Sequence, residues 1–188
     1  MGLYEYVVGL MTIVSGLALT EIALRLSRLI EHRRTVRWDA LPLLCALLGI
    51  GTLVVSWSNA WHPDNAMAAG FTVGAFMIPL FANLMLYMTI ATTLPSDPAP
   101  DTDLRAFYDT HNATFWSLFT LTMAQFIVRV IVIPAFRGEP VPLWVWPTSA
   151  AVLGLGIAPI FWRNRLFHYL ATIGMILLIV GPALFTEF

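Results

Sequence analysis

Lysine is missing from this sequence: all ten basic residues among its 188 are arginine. That removes a Schiff-base lysine and any phosphate-loop lysine. Charge of either sign is scarce, at 11% of residues where a water-soluble domain carries about a quarter. The surface that would face water is absent, so lipid is the expected solvent for most of the chain. A formal net charge of −1 gives nucleic acids and acidic polymers nothing to hold. The single cysteine, Cys45, excludes an intrachain disulfide. There is no HExxH or Cys-x-x-Cys, no pair of carboxylates at membrane depth, and no serine in a nucleophile elbow. The opening "MGLYEYVVG" has an acid but no basic n-region, so the first apolar run is expected to stay in the mature protein.

What is present is apolar: 59% of residues are hydrophobic and the mean hydropathy is +0.78. A bilayer core about 30 Å thick needs about 20 apolar residues per helix, and six segments meet that length. They run at approximately 3–30, 38–61, 66–94, 104–134, 142–162 and 166–186. Connections such as "HPDN", "PSDPAPDTD" and "RGEP" are short and rich in proline and aspartate, so no soluble domain is expected. The fold class predicted is all-α: a polytopic membrane protein, a bundle of six transmembrane helices in one domain.

Arginine asymmetry sets the expected orientation. Arg25, Arg28, Arg33, Arg34, Arg37, Arg105, Arg163 and Arg165 flank the odd-numbered loops, against Arg129 and Arg137 on the other side. Odd loops are therefore placed in the cytoplasm and both termini outside. Tyr4, Tyr6, Trp57, Trp61, Trp144 and Trp146 suit an outer aromatic belt, and Trp38 and Trp162 an inner one. The third loop is acidic, with Asp97, Asp101, Asp103 and Asp109, but acids weigh little in this rule.

Glu21 falls about one turn inside the inner boundary, with Arg25 four residues later in the order that favours an ion pair. The spacing reads as an interfacial pair that holds the helix end, with a cation-attracting vestibule as the alternative. At 100° per residue, His111, Thr114, Thr122, Gln125 and Arg129 share one face of the fourth helix. Polar groups at depth turn toward protein or a wet cavity, so this stripe is expected inward. Arg129 needs a counter-charge, and Glu5 or Glu187 has the matching depth. Glu5, Thr12 and Ser15 share a face of the first helix that could meet the stripe. Asn83, four residues after Pro79, reads as an interhelical hydrogen bonder. Pro79, Pro159 and Pro182 can each bend a helix and free a carbonyl. Gly70 and Gly74 form a GxxxG pattern that permits close helix packing.

"ALLGIGTLVVSWSN" (46–59) and "AVLGLGIAPIFWRN" (151–164) agree at alanine, leucine, both glycines, tryptophan and asparagine. That likeness raises the possibility of two inverted three-helix halves. His111 and His168, near the cytoplasmic ends of helices four and six, are the residues a haem or metal would use; no cofactor is expected, since interfacial histidines beside aromatics commonly pack and hydrogen-bond.

The first helix, "YVVGLMTIVSGLALTEIALRLSRLI", with the arginine loop and "VRWDALPLL", resembles the opening of a group of small bacterial multi-pass inner-membrane proteins. The resemblance covers the first third of the chain and implies a bacterial inner membrane, but no activity. Together these readings lead to an ion or small-solute channel or transporter working as a homo-oligomer, with the fourth-helix face, Asn83 and Glu5 or Glu187 along its path. The alternative is a non-catalytic accessory or scaffold subunit of a larger membrane complex.

Overall fold

In the computed structural model, residues 3–60, 73–136 and 138–183 are described. Among them the chain is helical, without a strand; one isolated bridge joins Arg37 to Asp103. The helices are α1 (Leu3–Glu31), α2 (Ala40–Ala60), α3 (Val73–Ala91), α4 (Leu104–Ile127), α6 (Val145–Phe161) and α7 (Arg165–Ala183). A π-helical segment, Val128–Val132, and a four-residue turn, α5 (Ile133–Phe136), continue α4. Four stretches are long and apolar enough to cross a membrane: Glu5–Glu31, Ala40–Ala60, Leu104–Val132 and Arg165–Ala183. Met77–Ala91 within α3, and α6, are apolar but shorter.

Boundaries follow local chemistry. Asp103 caps α4, its carboxylate accepting from the N–H groups of Arg105 and Ala106 at 2.8 and 3.1 Å. Asp39 does the same for α2 through the Leu41 N–H at 2.9 Å. α6 starts at Val145, three residues later than expected, because Pro140 and Pro142 hold the approach out of helical geometry. It ends where Trp162 turns extended. At 17 residues it spans about 26 Å, short of the ~30 Å of a bilayer core.

The helices form a ring in the order α1, α3, α4, α6, α7, α2, and α2 also packs on α3 and α4. α2 thus divides two cores. Leu41, Cys45 and Leu48 join Tyr108, Phe115, Trp116 and Phe119 of α4 with Ala171 and Met175 of α7. Ala46 and Leu53 join Ala18, Ile22 and Leu29 of α1 with Leu86 and Ile90 of α3. A helix covered on two sides has no use for charge, which explains the uncharged run after Asp39. On the outside, large apolar side chains such as Leu121, Phe161, Leu170 and Leu177 are exposed, as a lipid-facing surface requires.

The arginine-rich end is tied across loops. Arg37 N–H donates to the Thr102 carbonyl at 2.9 Å, and Leu104 N–H to the Arg37 carbonyl at 3.1 Å. The basic first loop and the acidic third loop therefore lie side by side.

Candidate functional site

α7 repeats polar residues at i, i+3, i+4 and i+7: Arg165, His168, Tyr169 and Thr172 share one face. α4 offers Tyr108 and Trp116 from its buried side. These meet in a closed hydrogen-bond chain. Trp116 Nε1–H donates to the Tyr108 hydroxyl at 2.9 Å, and that hydroxyl lies 2.6 Å from His168 Nδ1. His168 Nε2 lies 2.6 Å from the Trp162 carbonyl, which can only accept. Nε2 therefore carries hydrogen, and in the neutral ring Nδ1 accepts from Tyr108. Tyr108, Trp116 and His168 are all buried. His168 thus links α7 and α4 to the carbonyl that ends α6. Below it, Thr172 donates to the His168 carbonyl at 2.8 Å and stands 3.9 Å from Cys45 Sγ of α2.

One layer toward the helix starts, the Arg165 guanidinium holds two carboxylates. It donates to Asp39 Oδ2, and to Asp109 Oδ1 at 3.0 Å. Tyr169 adds its hydroxyl to Asp39 at 3.4 Å. Asp39 begins α2, Asp109 lies in the second turn of α4, and Arg165 opens α7, so three helices are fastened at one point. The groups of both layers bond to one another, and the Asp109 carboxylate is also half exposed. The arrangement fixes helix positions; it leaves neither His168 nitrogen for a ligand. No group of three or more His, Cys, Asp and Glu able to hold a metal occurs among the described residues.

The residues singled out from sequence are dispersed. Glu21 and Arg25 are ion-paired at 2.7 Å. Arg25 also donates to the Leu94 carbonyl, and Arg28 to that of Ser96. These arginines therefore bind the chain leaving α3 as well as marking a helix end. His111 is exposed, stacked on Phe107 with centroids 4.3 Å apart and bonded through Nδ1 to the Phe107 carbonyl. It does not join His168, which lies in the interior.

The fourth-helix stripe does not form the inward face. His111 and Thr114 are exposed, Thr122 is buried on the Leu118 carbonyl at 2.8 Å, and Gln125 and Arg129 are half-buried. The buried face is aromatic, roughly a quarter turn away at 100° per residue. Tyr108, Phe115, Trp116 and Phe119 win the interior because each removes far more apolar area than the small polar groups. Nor do α1 and α4 meet as a packed pair: α3 packs against both. Arg129 and Glu5 each have an interaction partner, while Glu187 lies outside the described residues.

Asn83 is buried, its amide donating to the Pro79 carbonyl at 3.0 Å while Oδ1 has no partner. Gln125 Oε1 is likewise buried without a partner. Gly70 lies outside the described residues and Gly74 is within α3. The two similar segments differ in setting: Trp57 and Asn59 are inside α2, whereas Trp162 and Asn164 follow the end of α6. α1 packs mainly on α3, the third helix of its half, whereas α4 packs mainly on α6, the second of its own.

Asp39, Tyr108, Asp109, Trp116, Arg165 and Tyr169 escaped sequence reasoning as members of one cluster. The available signal was the α7 spacing, together with opposite charges at three helix starts assigned to the same side. No family model, curated protein or solved structure matches the chain.

Proposed function

We propose that this protein is a multi-pass subunit of the bacterial inner membrane whose role is assembly: a non-catalytic scaffold or accessory component of a larger membrane complex. The observation that carries this reading is the filling of the α4 interior face. Tyr108, Phe115, Trp116 and Phe119 occupy the place that a conducting helix would give to polar side chains. The polar groups beside them are bonded to one another and join four helices. Arginine asymmetry supports odd loops in the cytoplasm and both termini outside.

A second reading, conduction or transport of an ion or small solute by a homo-oligomer, is favoured by one feature. Gln125 lines a groove of about 520 Å³ between α3 and α4, beside Met77, Phe81, Leu121 and Val128. Its buried Oε1 has no hydrogen-bond partner, and Arg129 lies one turn on, inside a π segment. Such segments frequently occur at functional sites. Purified protein in liposomes separates the two. The assembly reading expects no flux of protons, potassium or chloride above protein-free vesicles. Flux that Arg129→Ala abolishes while leaving the unfolding midpoint in place would overturn it.

A further inference from the structure

α1 turns Val8, Met11, Ala18 and Ile22 inward. Its opposite face carries Gly9, Gly16, Thr20, Ala23 and Ser27, all exposed. Among the described residues nothing accounts for the glycines, because a Cβ on Gly9 or Gly16 would meet none of their atoms within 4 Å. The sequence places a small residue and then a leucine at seven-residue intervals: Gly9-Leu10, Gly16-Leu17 and Ala23-Leu24. The three leucines are exposed, so a ridge of large side chains runs beside a furrow of small ones.

An independent feature lies beside that furrow. A cleft of about 250 Å³ opens between α1 and α2, lined by Thr12, Ser15, Gly16, Leu53 and Trp57 among others. Ser15 is only 6% exposed, and its Oγ has no hydrogen-bond partner among the described residues. A buried hydroxyl left unpaired is destabilising, so the cleft is chemically incomplete.

We propose that α1 is the seam of a homodimer, its furrow and the adjoining cleft occupied by α1 of a second copy. The seven-residue spacing selects a helix as occupant, since it keeps one stripe facing a neighbouring helix over three repeats, whereas an acyl chain has no such period. Self-pairing follows because ridge and furrow are adjacent on the same helix. Two copies inserted in one direction, related by a two-fold axis along the membrane normal, each offer a leucine ridge to the other's furrow. Small residues allow the backbones to approach, which is how helices associate in lipid. Thr20 of the second copy is the hydroxyl with capacity left for Ser15, since Thr12 Oγ1 already donates to the Val8 carbonyl and accepts from Trp57 Nε1. Thr20 Oγ1 donates to its own Gly16 carbonyl at 2.8 Å and keeps lone pairs to accept.

This interface rests on the assembly reading but is read out separately: liposome flux would sink that reading and leave the interface untouched. The test uses the full chain in a Cys45→Ala background, oxidised in native membranes. Gly16→Cys and Ala23→Cys should give disulfide-linked dimers about tenfold above Leu121→Cys and Leu177→Cys, which are exposed on other helices. Gly16→Leu should weaken the detergent-solubilised dimer by about tenfold in sedimentation while leaving the thermal midpoint of the dilute, monomeric protein unchanged, since a Cβ there meets no described atom of its own chain within 4 Å. Equal cross-linking at all four sites, cross-links only to another protein, or a dimer that tolerates Gly16→Leu would each overturn the proposal.

Discussion

A single hydroxyl carries the centre of the arginine-rich end. Tyr108 accepts from Trp116 and donates to His168, so one oxygen serves two buried partners at 2.9 and 2.6 Å. Tyr108→Phe keeps the ring and its packing but strands both partners at once. An unsatisfied buried group costs about 1–3 kcal/mol, and the variant is expected to lose at least that much stability in detergent. Equilibrium denaturation followed by tryptophan fluorescence measures it; an unchanged midpoint would mean the chain is not closed in solution. Sequence alone made His168 visible as a candidate ligand, and its use as a link between helices depends on partners 60 residues away in α4 and six residues away at the end of α6. The Glu21 and Arg25 pair was legible because both partners sit on one helix, where spacing alone fixes their geometry.

At the level of helices, the two glycine-bearing segments test whether likeness in sequence means likeness in setting. A Cβ on Gly51 of α2 would approach Val180 Cγ2 of α7 to 2.5 Å, and one on its counterpart Gly156 of α6 would approach Thr120 Oγ1 to 2.6 Å; in the other pair Gly49 meets Ile90 Cγ1 at 2.8 Å, whereas Gly154 meets no described atom within 4 Å. Gly51→Ala should therefore destabilise by about 1–3 kcal/mol through overpacking, while Gly154→Ala is neutral or slightly stabilising through helix propensity. Thermal unfolding of the two variants, side by side, gives the comparison, and equal effects would contradict the packing. The likeness therefore holds at one glycine pair and not at the other: GxG in an apolar helix records permission for close approach without naming the neighbour. The fourth-helix stripe lies inward only in part, at Thr122 and the Gln125 Oε1, for a related reason. Periodicity located a polar face, but which face is buried depended on competition with the aromatic side chains of the same helix, and area burial favoured the aromatics.

Across the whole molecule, charge is concentrated where helices end. Eight of ten arginines flank the loops 32–39, 92–103 and 162–164 or the helix ends beside them, and several bind backbone carbonyls or carboxylates there. If that end faces the cytoplasm, Thr35→Cys in a Cys45→Ala background should react with a membrane-impermeant maleimide in inverted vesicles and be protected in intact cells. Labelling from outside would reverse the orientation. Composition was sufficient to foresee an all-helical chain of apolar helices, because a shortage of ionic groups and runs of about 20 apolar residues leave few other ways to satisfy a backbone in lipid. Helix starts were readable too, from Asp39 and Asp103, since capping is local. The ring order, the central place of α2 and the convergence of Asp39, Asp109 and Arg165 were not readable, because they arise from contacts between segments as much as 130 residues apart. Apolar helices carry almost no record of which neighbour they will choose: their surfaces are chemically alike, and the choice comes from the fit of side-chain shapes and a few polar partners once the helices are side by side.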